Sequence, residues 1–150
     1  MTTTYIHDDT RNPIMKLVDG TPSAPWALRA GHIYPRKALS PGLVYDLVTD
    51  DYIAFVCSLN YAIKQYMREV TNVEDAGSVY KVMVEAPSTV VVRVRVRPRR
   101  LVFRKVGEKQ RYRVTFAASN RMDEAHGGSI TSRDRQHHVR SPVGFLWGEP

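Results

Sequence analysis

The segment from Val90 to Arg97 constrains the fold more than any other part of the sequence. It reads Val-Val-Val-Arg-Val-Arg-Val-Arg, so that Val92, Val94 and Val96 alternate with arginines. Successive side chains of a β-strand point to opposite faces, whereas the apolar face of a helix recurs every three to four residues. The segment therefore predicts a strand that lies with one face on a hydrophobic core and the other face in solvent.

Four more segments in the second half of the chain read as short strands: Val79 to Glu85, Leu101 to Lys105, Gln110 to Ala117 and His138 to Leu146. Turn-forming residues separate the strands at Ala86-Pro87-Ser88, Val106-Gly107-Glu108 and Gly127-Gly128-Ser129. Several short strands without a helical pattern between them indicate a mainly β chain that forms an antiparallel β-sandwich.

The first 45 residues have a different composition. They contain five of the nine prolines, in pairs such as Asn12-Pro13 and Ser40-Pro41-Gly42 that interrupt regular structure. We expect a loop-rich segment that leans on the rest of the chain. Thr49 or Asp50 then caps a predicted helix that runs to about Tyr66, so that one or two short helices precede the sandwich.

The charge balance points to acidic partners. The chain has 22 Lys and Arg against 15 Asp and Glu, a formal charge of +7, which favours association with polyanions. The candidate surface is the arginine series on and after the alternating strand: Arg93, Arg95, Arg97, Arg99 and Arg100. Such a series is either a solvated outer face or a binding surface for acidic polysaccharide or nucleic acid. No aromatic residues alternate with these arginines to stack on bases, which disfavours sequence-specific nucleic-acid recognition.

Composition also limits the chemistry that the chain can carry. No apolar run approaches the roughly 18 residues of a membrane span. The single cysteine, Cys57, excludes an internal disulfide and a zinc site with several thiolates. It reads as a buried residue of the predicted helix, as a reactive thiol, or as a disulfide cysteine without its partner. The segment from Met1 to Arg11 lacks the features of a secretory signal.

The sequence suggests no catalytic, cofactor-binding or metal-binding residue. Serines, histidines and aspartates are present, but no serine lies in a recognisable nucleophile turn. We expect His32 to be a packed loop residue beside Gly31. The adjacent His137 and His138 would point to opposite faces of a strand and would not share a metal ion, and His126 has no second ligand at a useful spacing.

Several short motifs occur in an order that resembles one protein family. They are Met1-Thr2-Thr3, Ala30-Gly31-His32-Ile33-Tyr34-Pro35, Ala38-Leu39-Ser40-Pro41-Gly42-Leu43-Val44-Tyr45-Asp46, Asp50-Asp51-Tyr52, Tyr80-Lys81-Val82, Leu101-Val102-Phe103 and Val139-Arg140-Ser141-Pro142. They resemble the C-terminal part of the plant subtilisin-like serine proteases, the subtilases, with its fibronectin type III-like domain.

The resemblance implies a division of the chain and a role for it. Residues 1–64 resemble the end of a subtilase catalytic domain, and residues 65–150 the fibronectin type III-like sandwich. The family's nucleophile lies in a Gly-Thr-Ser-Met-type motif upstream of the segment that resembles Met1-Thr2-Thr3. The expected role is therefore that of a non-catalytic structural or interaction module, with a subtilase catalytic domain or a second copy as partner and an extracellular, apoplastic setting.

The sequence also departs from the family pattern in three places. A stretch is missing between about Gln65 and Tyr66, which predicts a sandwich one strand short with an open edge. Ser132 stands where the family usually has Trp, and Arg135 where it usually has Gly.

Overall fold

The computed structural model describes residues 3–23, 25–28, 30–46, 63–85, 92–118 and 126–145. Within these residues the chain forms two short helices and eight strands. The helices are α1 (Pro25–Leu28) and α2 (Pro35–Ala38). The strands are β1 (Leu43–Asp46), β2 (Ile63–Asn72), β3 (Val79–Glu85), β4 (Val92–Arg97), β5 (Arg100–Val102), β6 (Lys109–Ala118), β7 (His126–Arg133) and β8 (His138–Phe145).

The strands form two four-stranded sheets with the orders β1-β2-β6-β4 and β5-β3-β7-β8. Every pairing in both sheets is antiparallel. The predicted antiparallel β-sandwich is confirmed, and so are the short helices that precede it.

The core lies between the two sheets because one face of each strand is apolar. Val70, Val96 and Val114 enter it from the first sheet, and Val82 and Val139 from the second. Its largest fully buried side chains are aromatic: Tyr80, Tyr112 and Phe103. The rings of Tyr80 and Phe103 meet edge to face at a centroid distance of 5.9 Å.

The strand β1 ties the upstream segment to the sandwich. Leu43 is fully buried in the core, and β1 pairs with the last four residues of β2, Glu69 to Asn72. The edge of the sheet that we predicted to be open is therefore covered over those four residues.

Gly42 makes the entry of β1 into the sandwich possible. Its φ is +75°, and a Cβ atom at this position would lie 2.7 Å from the hydroxyl of Tyr80 and 2.7 Å from Cγ of His137. Only glycine fits such a close approach at a positive φ.

Residues 5–23 form an arm that folds on itself. Isolated antiparallel bridges join His7 to Pro13 and Met15 to Pro22, and Tyr5 pairs with His32 near α2. Arg140 of β8 donates from Nη1 to the carbonyl of Ala30 at 3.5 Å. The upstream segment is thus in hydrogen-bond contact with the sandwich, as its loop-rich composition predicts.

Part of the predicted helix is wrong. Residues 47–62, including Cys57 and the start of the helix, lie outside the described residues, but Ile63 to Tyr66 belong to β2. In this strand Gln65 and Met67 are exposed and Tyr66 is half-buried, which is the alternation of a strand. The sequence signal for this strand is weak, because the half-buried Lys64 and Arg68 lie on its inner face. Apolar residues at these two positions would have shown the two-residue period of a strand.

The predicted turn at Gly127-Gly128-Ser129 is also wrong, because these residues lie inside β7. Both glycines pair with β8, and the buried Ser129 donates from Oγ to Glu85 Oε2 at 2.8 Å.

The predicted strand at Leu101 to Lys105 is shorter than expected. It ends at Val102 as β5, and Glu108 Oε2 accepts the backbone N–H of Arg104 at 2.5 Å and so closes a turn.

Ser132 occupies the interior of the second sheet. It is fully buried between Val82 and Val139, its register partners on β3 and β8. Its Oγ makes no hydrogen bond of good geometry in the part of the chain that the structure describes, and it interacts only weakly with the hydroxyl of Tyr45. A hydroxyl that is removed from water without a replacement bond is unfavourable.

Candidate functional site

The outer surface of the first sheet carries a cluster of arginines that we call the arginine face. It consists of Arg93, Arg95 and Arg97 on β4 and of Arg111 and Arg113 on the neighbouring β6, and all five are exposed. The arginine positions of both strands alternate with buried residues, so all five guanidinium groups project from the same side of the sheet.

The arginine face borders a groove of about 570 Å³. The rest of its lining consists of Gln65 and Met67 from β2, Tyr112, Thr115 and Ala117 from β6, and Pro98. Arg97 lies directly opposite Arg113 in the register of β4 and β6. Like charges in opposed positions repel each other, and an anion between them would relieve that repulsion.

One end of this surface is neutralised by acidic residues. Glu69 accepts hydrogen bonds from Arg111 Nε at 2.6 Å and from Lys109 Nζ at 3.1 Å. Asp46 Oδ2 lies 2.9 Å from Lys109 Nζ and also accepts the hydroxyl of Thr71. The bond from Arg111 is the main cause of the lowered pKa of Glu69, and the bond from Thr71 is the main cause of the lowered pKa of Asp46.

The other end of the surface keeps its positive charge. The side chains of Arg93, Arg95, Arg97 and Arg113 make no hydrogen bond or ion pair with any residue that the structure describes. Four unpaired guanidinium groups that surround one groove are a suitable surface for anionic groups spaced along a linear polymer.

Arg99 and Arg100 lie away from this surface. Pro98 follows β4, and Arg100 begins β5 in the second sheet, where it pairs with Lys81. The carbonyl of Arg99 accepts the N–H of Val82 at 2.8 Å. Of the five arginines named from the sequence, the structure thus brings together Arg93, Arg95 and Arg97 and separates the other two from them.

Sequence reasoning did not single out Arg111 and Arg113. A signal for them was present, because Lys109, Arg111 and Arg113 alternate with Gln110 and Tyr112 in the same period as the arginines of β4. Register between the two strands, which brings Arg113 beside Arg97, is visible only in the structure.

A second exposed feature is the tip of the arm. Leu17 and Val18 are fully exposed there, with relative accessibilities of 105% and 97%. The turn behind them is braced, because Asp19 Oδ1 accepts the N–H of Thr21 at 3.0 Å and its hydroxyl at 2.7 Å. These bonds lower the pKa of Asp19 to about 2.

The histidines are placed as follows. His32 lies in a loop beside Gly31, which has a φ of +112°, but it is exposed and not packed as predicted. Its backbone N–H donates to the carbonyl of Tyr5 at 2.8 Å, and its ring lies 5.6 Å from the ring of Tyr5. His137 lies partly buried in the β7–β8 turn, and the exposed His138 begins β8. The side chain of His126 lies outside the described residues. Among the described residues, no three His, Cys, Asp or Glu side chains form a group that could hold a metal ion.

Comparison with known proteins identifies the class of domain. A family model described as a fibronectin type-III domain matches residues 52–145, more than half of the chain. The chain belongs to the fibronectin type-III domain family, in agreement with its two antiparallel sheets.

Over nearly its whole length, the chain is similar to plant subtilisin-like proteases, as its motifs predict. It is 33% identical to the Arabidopsis thaliana subtilisin-like protease SBT1.7 over 187 residues, which cover 98% of this chain and 24% of that protein. It is 32% identical to Arabidopsis SBT1.3 over 192 residues, with 100% and 24% covered. With Solanum lycopersicum SBT3 it shares 30% identity over 187 residues, with 95% and 24% covered.

The chain thus spans about a quarter of the length of these relatives. The alignments are longer than the 150 residues of the chain, so the relatives carry stretches that this chain lacks. Among solved structures, a FixG-related protein from Vibrio parahaemolyticus aligns with 70% of this chain and 94% of its own at 11% identity and a TM-score of 0.46, too low to bear on function. None of the helices in the described residues is long and apolar enough for a membrane span.

Proposed function

We propose that this chain is an interaction module of the subtilisin-like protease family that docks on a subtilisin-like catalytic domain and does not cleave peptide bonds itself. The observation that carries the proposal is the arm, whose braced tip presents Leu17 and Val18 to solvent. In this proposal the part of residues 1–64 that precedes β1 forms the docking region, and the setting is extracellular. The supporting sandwich consists of residues 65–150 together with β1 and the first two residues of β2.

The arm has the properties of a surface that awaits a partner. A large apolar side chain gains about 1.5–3 kcal/mol when it moves from water into an apolar environment. Single exposed apolar residues are common, but two adjacent ones at the tip of a fixed turn are a favourable anchor for association. The partner class follows from the similarity to whole subtilisin-like proteases, of which this chain covers about a quarter.

The sandwich supports the arm by holding its base in place. Leu43 lies in the core, and Arg140 contacts the carbonyl of Ala30 just after the arm. When a partner binds the arm, these contacts therefore hold the sandwich at a defined position relative to that partner.

A binding assay tests the docking. The partner is the catalytic region of Arabidopsis SBT1.7, produced without the quarter that this chain matches and checked for folding by circular dichroism. Wild-type chain is expected to bind, whereas Leu17→Asp with Val18→Asp is expected to weaken binding at least about tenfold, because two anchors are lost. Val106→Asp, which changes an exposed apolar residue in the β5–β6 turn, serves as the control.

Equal binding by the arm variant and the wild type would contradict the proposed docking surface. A wild-type chain that is dimeric by light scattering, and monomeric in the arm variant, would assign the arm to a second copy of the chain instead. Peptide cleavage by the purified chain would contradict the proposal that it does not cleave peptide bonds.

A second candidate function is the binding of a linear polyanion, which the four unpaired arginines of the arginine face favour. The test compares two double variants with the same change in charge. Arg95→Glu with Arg97→Glu alters the groove, and Arg99→Glu with Arg100→Glu alters the arginines away from it. If the groove binds the polyanion, only the first variant elutes earlier from heparin. The slope of log K against log salt concentration should also become smaller in that variant, by about two released counterions. Equal shifts in both variants would show that net charge alone causes the retention.

A further inference from the structure

Three side chains meet where the link between α2 and β1 passes the β7–β8 turn. Ser40 follows α2, and Asp134 and His137 belong to the turn. Ser40 Oγ lies 3.2 Å from His137 Nε2. On the other side of the ring, His137 Nδ1 lies 3.0 Å from Asp134 Oδ2. Serine, imidazole and carboxylate thus follow one another in the order that activates a serine nucleophile.

Asp134 is held as a carboxylate that orients the ring. Its Oδ1 accepts the backbone N–H groups of Gln136 at 2.8 Å and of His137 at 2.5 Å. Partial burial opposes its ionisation, but the hydrogen bonds from His137 outweigh burial and lower its pKa. An ionised Asp134 accepts a hydrogen bond from Nδ1–H of a neutral imidazole, and the lone pair of Nε2 then faces Ser40.

The ring is also fixed from its other sides. The hydroxyl of Tyr80 lies 3.4 Å from His137 Nδ1, and the backbone of Gly42 approaches the ring so closely that a Cβ atom would collide with it. His137 and Asp134 keep only 11% and 14% of their side-chain surface exposed, whereas Ser40 is exposed. The base is therefore held in place, and its serine is accessible from solvent.

We propose that Ser40 is a nucleophile, with His137 as its general base and Asp134 as a positioning residue, that accepts acyl groups from activated esters. Ser40 Oγ forms a bond to the carbonyl carbon of an aryl ester while its proton moves to His137 Nε2. The bond from that carbon to the aryloxy oxygen then breaks, and the proton on Nε2 leaves with the phenolate as a phenol. Water releases the acyl group by the same route, with His137 as base, and restores Ser40.

Activated esters are the substrate class because they require little beyond a nucleophile and a base. A phenolate departs readily, whereas the amine of a peptide bond must be protonated and its tetrahedral intermediate stabilised by placed donors. Reaction at Ser40 is therefore compatible with the absence of peptide cleavage in the proposed function, and each can fail without the other.

The test uses the full chain with Cys57→Ala, so that the thiol does not react, and a fluorophosphonate probe. Ser40 Oγ displaces fluoride from the phosphorus of the probe and forms a stable adduct, which intact-mass spectrometry follows and peptide mapping locates. The adduct is expected on Ser40 and is absent in Ser40→Ala. His137→Gln slows labelling about a hundredfold, at the lower end of what a general base contributes. Ser23→Ala and His138→Gln are the controls and label at the wild-type rate.

Asp134→Asn separates a positioning role from a structural one. An amide in place of the carboxylate no longer fixes the Nδ1–H tautomer of His137, so labelling slows in this variant, whereas Asp134→Glu, which keeps a carboxylate, restores most of the rate. Thermal melting identifies any variant that does not fold. If His137→Gln does not fold, Ser40→Ala, which changes only an exposed hydroxyl, still decides the test. The proposal is overturned by an unlabelled wild-type chain, by an adduct at another serine, or by unchanged labelling in folded His137→Gln.

Discussion

Replacement of Leu43 by alanine tests whether the upstream segment is part of the sandwich. Leu43 is fully buried, and it reaches the core from β1, which lies outside the matched family segment of residues 52–145. A buried Leu→Ala change costs about 2–5 kcal/mol, because apolar contacts are lost and a cavity remains. With a cost of about 3 kcal/mol and a shift of about 3 °C per kcal/mol for a domain of this size, Tm should fall by about 10 °C.

The neighbouring residue provides the matched control for that measurement. Val44 lies next to Leu43 on the opposite face of β1 and is 41% exposed. Val44→Ala should change the free energy of unfolding by less than about 0.5 kcal/mol. Urea unfolding followed by circular dichroism measures both variants with the wild type. If the two substitutions have equal effects, or if Leu43→Ala has none, β1 does not pack in the core and its pairing with β2 is not maintained in solution.

Three further substitutions test local features by thermal melting. Gly42→Ala should lower Tm far more than Gly77→Ala, because both glycines have a positive φ but only the first would bring a Cβ atom against other side chains; equal losses would refute the close approach. Ser132→Ala should stabilise the protein by about 1 kcal/mol, because it removes a buried hydroxyl that makes no hydrogen bond of good geometry among the described residues; destabilisation would mean that its contact with Tyr45 is a full hydrogen bond. Asp134 has a lowered pKa in the folded state, so its contribution is fully present above its unfolded pKa of 3.8 and is lost as pH falls below that value. Wild-type Tm should therefore drop more than that of Asp134→Asn between pH 5 and 3, and parallel curves would contradict the shift.

The strands that the sequence predicted best are those with a regular inner face. Val92, Val94 and Val96 mark β4 by their period alone, and β3 and β6 follow the same rule. The period of β2 is obscured by Lys64 and Arg68 on its inner side, and β7 carries two glycines directly after its first residue, His126, which usually signal a turn. In both strands, pairing with neighbours overrides the local signal.

The candidate sites differ in how far sequence could predict them. The common orientation of Arg93, Arg95 and Arg97 follows from the period of one strand. Their proximity to Arg113 depends on strand register, which local sequence does not contain. The cluster of Ser40 with His137 depends on contact between residues 97 positions apart, and no local motif marks such a contact.

The arginines of β4 lie on a strand at the edge of its sheet, where strands of other molecules could pair. In the described sheet β4 is the terminal strand, and it pairs with β6 on one side only. A terminal strand can recruit a strand from another molecule and extend the sheet without limit. If the β4 strand of a second copy joined it, two rows of guanidinium groups would lie side by side on one surface, and the resulting repulsion would oppose this pairing whether or not the same groups ever meet an anion.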